Sequence, residues 1–228
     1  MKALISQPFG LGDHIFTVSI ARDLIKKGME VVYPVQGHYL DGNRRAYPDI
    51  QWVHVDDIDK GLLEIKRKEV AGGYEVYPLR WANEILRLPY KDCMKAKYLW
   101  YGMNWRDWSK NAMWLRDEQR ERRLVDLLDA TGDYTLVNRF FRGDASGVVD
   151  IRVEGNIVDM RNIDGFSLYD WAMVIEGAKE IHTVSTSILY ILELLKVKPV
   201  VNLYKRFPDE KDHRNYDYLL KNNKYRLL

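Results

Sequence analysis

Residues 1–35 read MKALISQPFGLGDHIFTVSIARDLIKKGMEVVYPV, and their patterning decides the fold class. An apolar run from Lys2 to Gln7 ends in the loop Pro8-Phe9-Gly10-Leu11-Gly12-Asp13. Val18, Ala21, Leu24 and Ile25 then share one helical face, and Gly28 supplies the stop. A second apolar run, Glu30 to Val35, follows at once. Strand, glycine turn, helix and strand in that order open a parallel α/β sheet.

Outward from this unit, Ile50–Val55 and Tyr74–Leu79 read as a third and fourth strand. From Tyr90 to Leu128 only helical spacing is present, with Trp100, Trp105, Trp108 and Trp114 in its first part. The charged run Arg116–Arg123 reads as a solvated helix face, and Thr131-Gly132-Asp133 ends the helical stretch. A second α/β unit starts at Tyr134–Asn138. Val149–Met160, with a turn at Glu154-Gly155-Asn156, is expected to form a hairpin or two short strands. Ser167 and Asp170 have the spacing of an acidic capping box. Glu180–Val184, Thr186–Lys196 and Pro199–Tyr204 complete the pattern as strand, helix and strand. The expected architecture is therefore α/β, with two Rossmann-like lobes (1–130 and 131–228), a helical Trp-rich middle segment, and one cleft faced by both glycine- and hydroxyl-bearing loops.

Composition narrows the function classes. Lys and Arg number 35 against 33 Asp and Glu, a net charge of +2, so charge alone does not argue for a nucleic-acid partner. A single cysteine, Cys93, excludes an intrachain disulfide and a cysteine metal cluster, which fits a reducing compartment. No apolar run approaches a membrane span, and the expected location is the cytoplasm.

Two strand-to-helix loops carry the chemistry. In the first, Gly10 and Gly12 allow a ligand close to the backbone, and Asp13 and His14 follow them. Ile15 breaks the GxGxxG pattern, so a dinucleotide site is poorly supported. Asp13 reads either as a general base or as a carboxylate complementing the helix dipole. His14 is the alternate base, with an intrinsic pKa suited to neutral pH. In the second loop, Ser185, Thr186 and Ser187 offer hydroxyls and helix N–H groups to a diphosphate, or else cap the helix. Arg139 and Arg142 follow the first strand of the second lobe, from where guanidinium groups can fork a diphosphate. Glu176 is a candidate for a donor ribose or sugar. Asp56-Asp57-Ile58-Asp59 is the nearest approach to a cation site and reads more simply as a solvated turn. The five histidines show no metal-ligand spacing. The tryptophans, mixed with Lys97, Arg106, Lys110 and Arg116, read as filling between the lobes or as a stacking surface for sugars or bases.

Taken together, Phe166–Ala172, Ile175-Glu176-Gly177-Ala178, Ile181–Ser187 and Leu194–Tyr204 resemble the donor lobe of heptosyltransferase-type GT-B glycosyltransferases. Met1–Leu24, with Gly12-Asp13 opening the first helix, resembles the same family's start. The sequence departs from the family where Ser185-Thr186-Ser187 replaces an Asp-Ser/Thr-Gly loop, and where Tyr190 and Ile191 stand in place of a helical histidine. The resemblance implies an acceptor-side first lobe and a donor-binding second lobe. It further implies a nucleotide-sugar co-substrate, inverting transfer to an acceptor glycan hydroxyl, Asp13 as general base, and no metal or other cofactor. Two other readings stay open: transfer to DNA or a nucleobase, with the Trp/Arg helices as the nucleic-acid surface, and a non-catalytic nucleotide-sugar binding module in which Asp13 is structural.

Overall fold

The computed structural model describes residues 1–7, 10–55, 73–141, 147–206, 219 and 221–228. Asp56–Asp59, Arg142 and His213 lie outside the described residues. The chain divides into two compact units, Met1–Leu115 and Arg116–Leu228.

The first unit contains a parallel sheet of β1 (Lys2–Ile5), β2 (Glu30–Val35), β3 (Gln51–His54) and β4 (Tyr74–Tyr77) in the order β3-β2-β1-β4. Leu4 of β1 pairs in register with Val32 on one side and Val76 on the other. With neighbours on both edges, β1 is central, which is why Ala3, Leu4 and Ile5 are fully buried.

Helix α1 (Leu11–Lys26) begins after Gly10, whose φ of 67° and ψ of 130° suit only glycine without strain. His14 through Ala21 are all buried, so this helix is enclosed on every side rather than along one stripe. Its interior polar groups are paired accordingly. Thr17 Oγ1 lies 2.8 Å from the Asp13 carbonyl and 2.7 Å from Tyr33 Oη, and Ser19 Oγ donates to the Trp108 carbonyl. The helix ends with Gly28 at φ 82° and the Met29 N–H returning to Leu24 O at 3.1 Å, which closes its last turn. Helix α2 (Gly37–Ala46) leads into β3, and a single turn, α3 (Ala82–Ile85), follows β4. Helix α4 (Cys93–Tyr101) and a 3₁₀ stretch, Trp105–Asn111, pack on α1. Trp108 lies 5.5 Å from the Phe16 ring and Tyr98 Oη donates to the Phe16 carbonyl at 2.5 Å. Trp100 meets Tyr77 edge-on, and Trp105 lies beneath Arg106. The Trp-rich segment is thus part of the first unit's own core and rim.

The second unit holds the parallel sheet β11-β10-β9-β5-β8, formed by β5 (Thr135–Asn138), β8 (Ile157–Asp159), β9 (Glu180–Val184), β10 (Val201–Tyr204) and β11 (Tyr225–Leu227). A small antiparallel pair, β6 (Phe140–Phe141) with β7 (Gly147–Val148), stands beside it. Of the hairpin or two short strands expected over Val149–Met160, only one strand forms: Gly155 leads into β8, whose three residues pair with β5. Ile151 is instead buried in one core cluster with Val137, Phe141 and Val184, and Val149 and Val153 pack against it.

Helix α5 (Glu118–Leu127) belongs to this second unit, so the division falls before the Ala130–Thr131 boundary read from the sequence. Two arginine anchors account for the difference. Arg116 joins Glu121 to Glu176, and Arg120 pairs with Asp170 at 3.1 Å. Asp170 also takes the Ser167 N–H and hydroxyl at 2.7 and 2.9 Å, the acidic capping box expected from spacing. Helix α6 (Ala172–Gly177) follows, and a Cβ on Gly177 would lie 2.7 Å from Tyr134 Oη, which donates to Val174 O. Helix α7 (Ile188–Leu195) connects β9 to β10.

Candidate active site

The two loops singled out by sequence lie at the carboxyl ends of β1 and β9, where parallel sheets present helix N-termini to ligands. Each is built within its own unit.

In the first unit, α1 starts two residues before Asp13, so Gly12 and Asp13 both sit in its first turn. The Asp13 carboxylate is 30% exposed. Its Oδ1 pairs with Lys97 Nζ at 3.2 Å, and the same ammonium donates to Gln7 Oε1 at 2.6 Å. Asp13 Oδ2 lies over Gly10, where a Cβ would stand 3.3 Å from it. A helix N-terminus and a lysine both favour the ionised form. The balance goes the other way: burial pushes the Asp13 carboxyl up, opposed but not overcome by Lys97.

His14 is corrected as a catalytic candidate. Its ring has no exposed surface, sits edge-on to Tyr33 and Tyr39, and meets Asn43 Nδ2 through Nδ1 at 3.1 Å. The 3.6-residue period turns position 14 into the core while leaving position 13 half-buried. A base must reach its proton, so His14 belongs to the packing of the unit.

In the second unit, Ser185, Thr186 and Ser187 join β9 to α7. Ser187 is the N-cap residue, yet its side chain makes no capping hydrogen bond. The Ser185 hydroxyl is buried and has no hydrogen-bond partner among the described residues. Thr186 Oγ1 accepts from Asn138 Nδ2 at 3.2 Å, and the same amide reaches Thr183 Oγ1 at 2.9 Å, fastening the loop to the end of β5. Ordinary N-capping by Ser185 or Thr186, the plainer reading of this loop, is therefore not formed.

The remaining candidates have protein partners. Arg139 is taken up by Asp159, at 2.9 Å from Nε, and by the Ile151 carbonyl, at 3.1 Å from Nη1. Glu176 is forked by Arg116 through two hydrogen bonds of 2.8 Å. Lys97, read from sequence only as part of the Trp-rich segment, is the residue missed as a partner of the first loop, and its contact with Asp13 reveals it. Among the described residues no group of three His, Cys, Asp or Glu side chains could hold a metal ion, and no helix is long and apolar enough to cross a membrane.

No protein-family model and no curated protein matches the sequence. Among solved structures, the chain is similar to a glycosyl transferase family 9 protein from Veillonella parvula DSM 2008. The TM-score is 0.58 and the identity 12%, over 100% of this chain and 86% of the other. The fold is GT-B-like. The E. coli heptosyltransferase WaaC with ADP also matches, at a TM-score of 0.45 and 14% identity, over 89% of this chain and 87% of that one.

Proposed function

We propose that this protein is a glycosyltransferase that moves a sugar from a nucleoside-diphosphate sugar to an acceptor hydroxyl, without a metal and with inversion. The observation that carries the reading is the start of α7. The buried Ser185 hydroxyl, without a partner among the described residues, stands at a helix N-terminus whose N-cap side chain, Ser187, makes no capping hydrogen bond. Buried polar groups are nearly always satisfied, and a helix N-terminus favours an anion, so a diphosphate oxygen suits both vacancies. The GT-B-like fold supports the same assignment.

Asp13 is the general base of this proposal. Its raised pKa makes it a stronger proton acceptor than an ordinary aspartate, and its partial exposure leaves it open to a hydroxyl. Leaving-group charge on the diphosphate is stabilised by the helix N–H groups and by Ser185 and Thr186. Glu176 and Arg139 join a donor site only by exchanging their present partners for substrate.

Thermal-shift titration with UDP, GDP, ADP and CMP tests the donor. A nucleotide at 100 times its Kd stabilises the fold by about 2.7 kcal/mol. Absence of any shift with all four, with matching silence for their sugars, rejects the reading. Release of nucleoside diphosphate from the matching sugar donor, with water or an added glycan as acceptor, then tests transfer.

A further inference from the structure

Lys97 lies on α4, the helix that packs against α1, and is only 4% exposed. Met94, Ala96 and Tyr98 around it are buried as well. A lysine in such a setting is a poor choice for stability, because desolvating an ion pair offsets most of its attraction. Docking of α4 also does not need it. Tyr98 Oη already holds the Phe16 carbonyl, and one turn further Tyr101 Oη bonds Asp23 Oδ2 at 2.6 Å while Lys27 reaches Tyr101 at 3.1 Å. What Lys97 alone does is grip one oxygen of Asp13 while anchored on Gln7, a buried residue just past β1.

We infer that Lys97 is the positioning residue of the Asp13 base: it immobilises Oδ1 against Gln7 and leaves Oδ2, over the bare Cα of Gly10, as the oxygen that takes the acceptor's proton. The inference rests on the transfer reading above. In the step it serves, the acceptor O–H proton passes to Asp13 Oδ2 as the acceptor oxygen bonds to the anomeric carbon. The bond from the anomeric carbon to the diphosphate oxygen breaks, and its electron pair leaves on the nucleoside diphosphate. Gly10 matters for the same reason, since any side chain there would be strained at φ 67° and would crowd Oδ2.

Removing the ammonium has two separable effects. The carboxylate loses its orienting partner, so kcat falls, and it loses the one cation beside it among the described residues, so its protonation moves to higher pH. Among the described residues the other groups facing Asp13 are Cys93 on α4, Tyr39 on α2, Tyr33 on β2 and the adjacent His14, and none of these supplies a fixed positive charge.

The test compares unaltered protein, Lys97→Met, Lys97→Gln and Asp13→Asn. The assay is release of nucleoside diphosphate from the sugar donor whose nucleotide gives the largest thermal shift. Lys97→Met is expected to lower kcat roughly 10–100-fold with donor KM unchanged, and to move the acid limb of kcat to higher pH. Lys97→Gln, which keeps a hydrogen bond but not the charge, is expected to recover part of kcat while retaining the displaced limb. A Lys97→Met enzyme with unaltered kcat and acid limb, beside an inactive Asp13→Asn, overturns the role of Lys97 and leaves the base in place. An active Asp13→Asn, or no release from any donor by the unaltered protein, overturns the transfer reading and this inference with it. If both Lys97 variants fail to fold, the ¹⁵Nζ resonance of Lys97 in the unaltered protein decides. It must respond as Asp13 titrates, and a silent resonance overturns the inference.

Discussion

Arg116 ties Glu121, which is 1% exposed, to Glu176, which is 41% exposed, through one guanidinium. The two carboxylates have unequal claims on it. Glu121 has been removed from water, whereas Glu176 remains hydrated without its partner. Arg116→Met is expected to destabilise the fold by about 3–5 kcal/mol, because it strands a buried charge. Glu176→Gln is expected to cost less than about 1 kcal/mol. Urea unfolding of the two variants checks the ordering. Equal losses would mean that Glu176, not Glu121, is the main partner.

The same pair bears on the donor. If Glu176 turns to a ribose when nucleotide binds, Arg116 keeps Glu121 as its anion and the exchange is cheap. Glu176→Gln is then expected to weaken nucleotide binding roughly tenfold, the loss of one charged hydrogen bond of about 1.5 kcal/mol. Unchanged affinity by calorimetry assigns Glu176 to the Arg116 fork alone.

Ser185 gives a prediction in which stability and binding move in opposite directions. Its hydroxyl is buried without a partner among the described residues, and such a group costs about 1–3 kcal/mol of desolvation. Ser185→Ala is expected to raise the midpoint of thermal unfolding in the free protein and to lower nucleotide affinity. A variant that is destabilised instead has lost a hydrogen bond, which would assign the hydroxyl to the fold.

These residues also show what sequence makes legible. The strands β1, β2, β5, β9 and β10 are short stretches of apolar and β-branched residues bounded by turn residues, a pattern consistent with buried parallel strands. Asp13 and Ser185 are legible for a related reason, since each follows such a run at a strand-to-helix turn. The edge strand β11 is not: Tyr225-Arg226-Leu227 is half exposed and has no apolar run to announce it. It is held from a distance by Glu193, a buried carboxylate on α7 that accepts from the Lys221 and Asn222 N–H groups, from Asn223 and from Tyr225 Oη. Lys97 is hidden in the same way. Its role comes from an approach between segments far apart in sequence, to which local periodicity is blind. The strand missing before Gly155 has the opposite cause. Val149–Val153 fits a strand pattern locally, but β5 recruits only Ile157–Asp159, while Ile151, with Val149 and Val153, packs into the core around Val137, Phe141 and Val184.

Glu193 therefore has a testable function as the clasp of the C-terminal strand. Glu193→Ala is expected to cost about 2–4 kcal/mol, because it leaves buried N–H donors without acceptors. Hydrogen exchange should quicken at Tyr225–Leu227 and in the facing amides of β10 while β5 stays protected. Uniform loss of protection would make Glu193 part of the global core rather than a clasp.

Asp13 couples stability and activity with opposite signs. Burial raises its pKa in the folded chain above that in the unfolded one, so the folded state binds its proton more tightly. The stabilisation from that proton is complete below the unfolded pKa and is lost as pH rises through the folded value. Catalysis needs the ionised form, so turnover appears over the same rise in which stability declines. The acid limb of kcat is accordingly expected above the range of an ordinary aspartate. Asp13→Asn is uncharged at every pH, so it should flatten that part of the stability profile. It also leaves Lys97 without its anion, which subtracts a constant amount, so the comparison lies in slope and not in height. The same variant is expected to lower kcat by about 10²-fold or more while nucleotide affinity is nearly unchanged. Turnover at a tenth of the unaltered rate or better would return Asp13 to a structural role. A flattened slope without loss of turnover would place its buried charge in the fold and the base elsewhere.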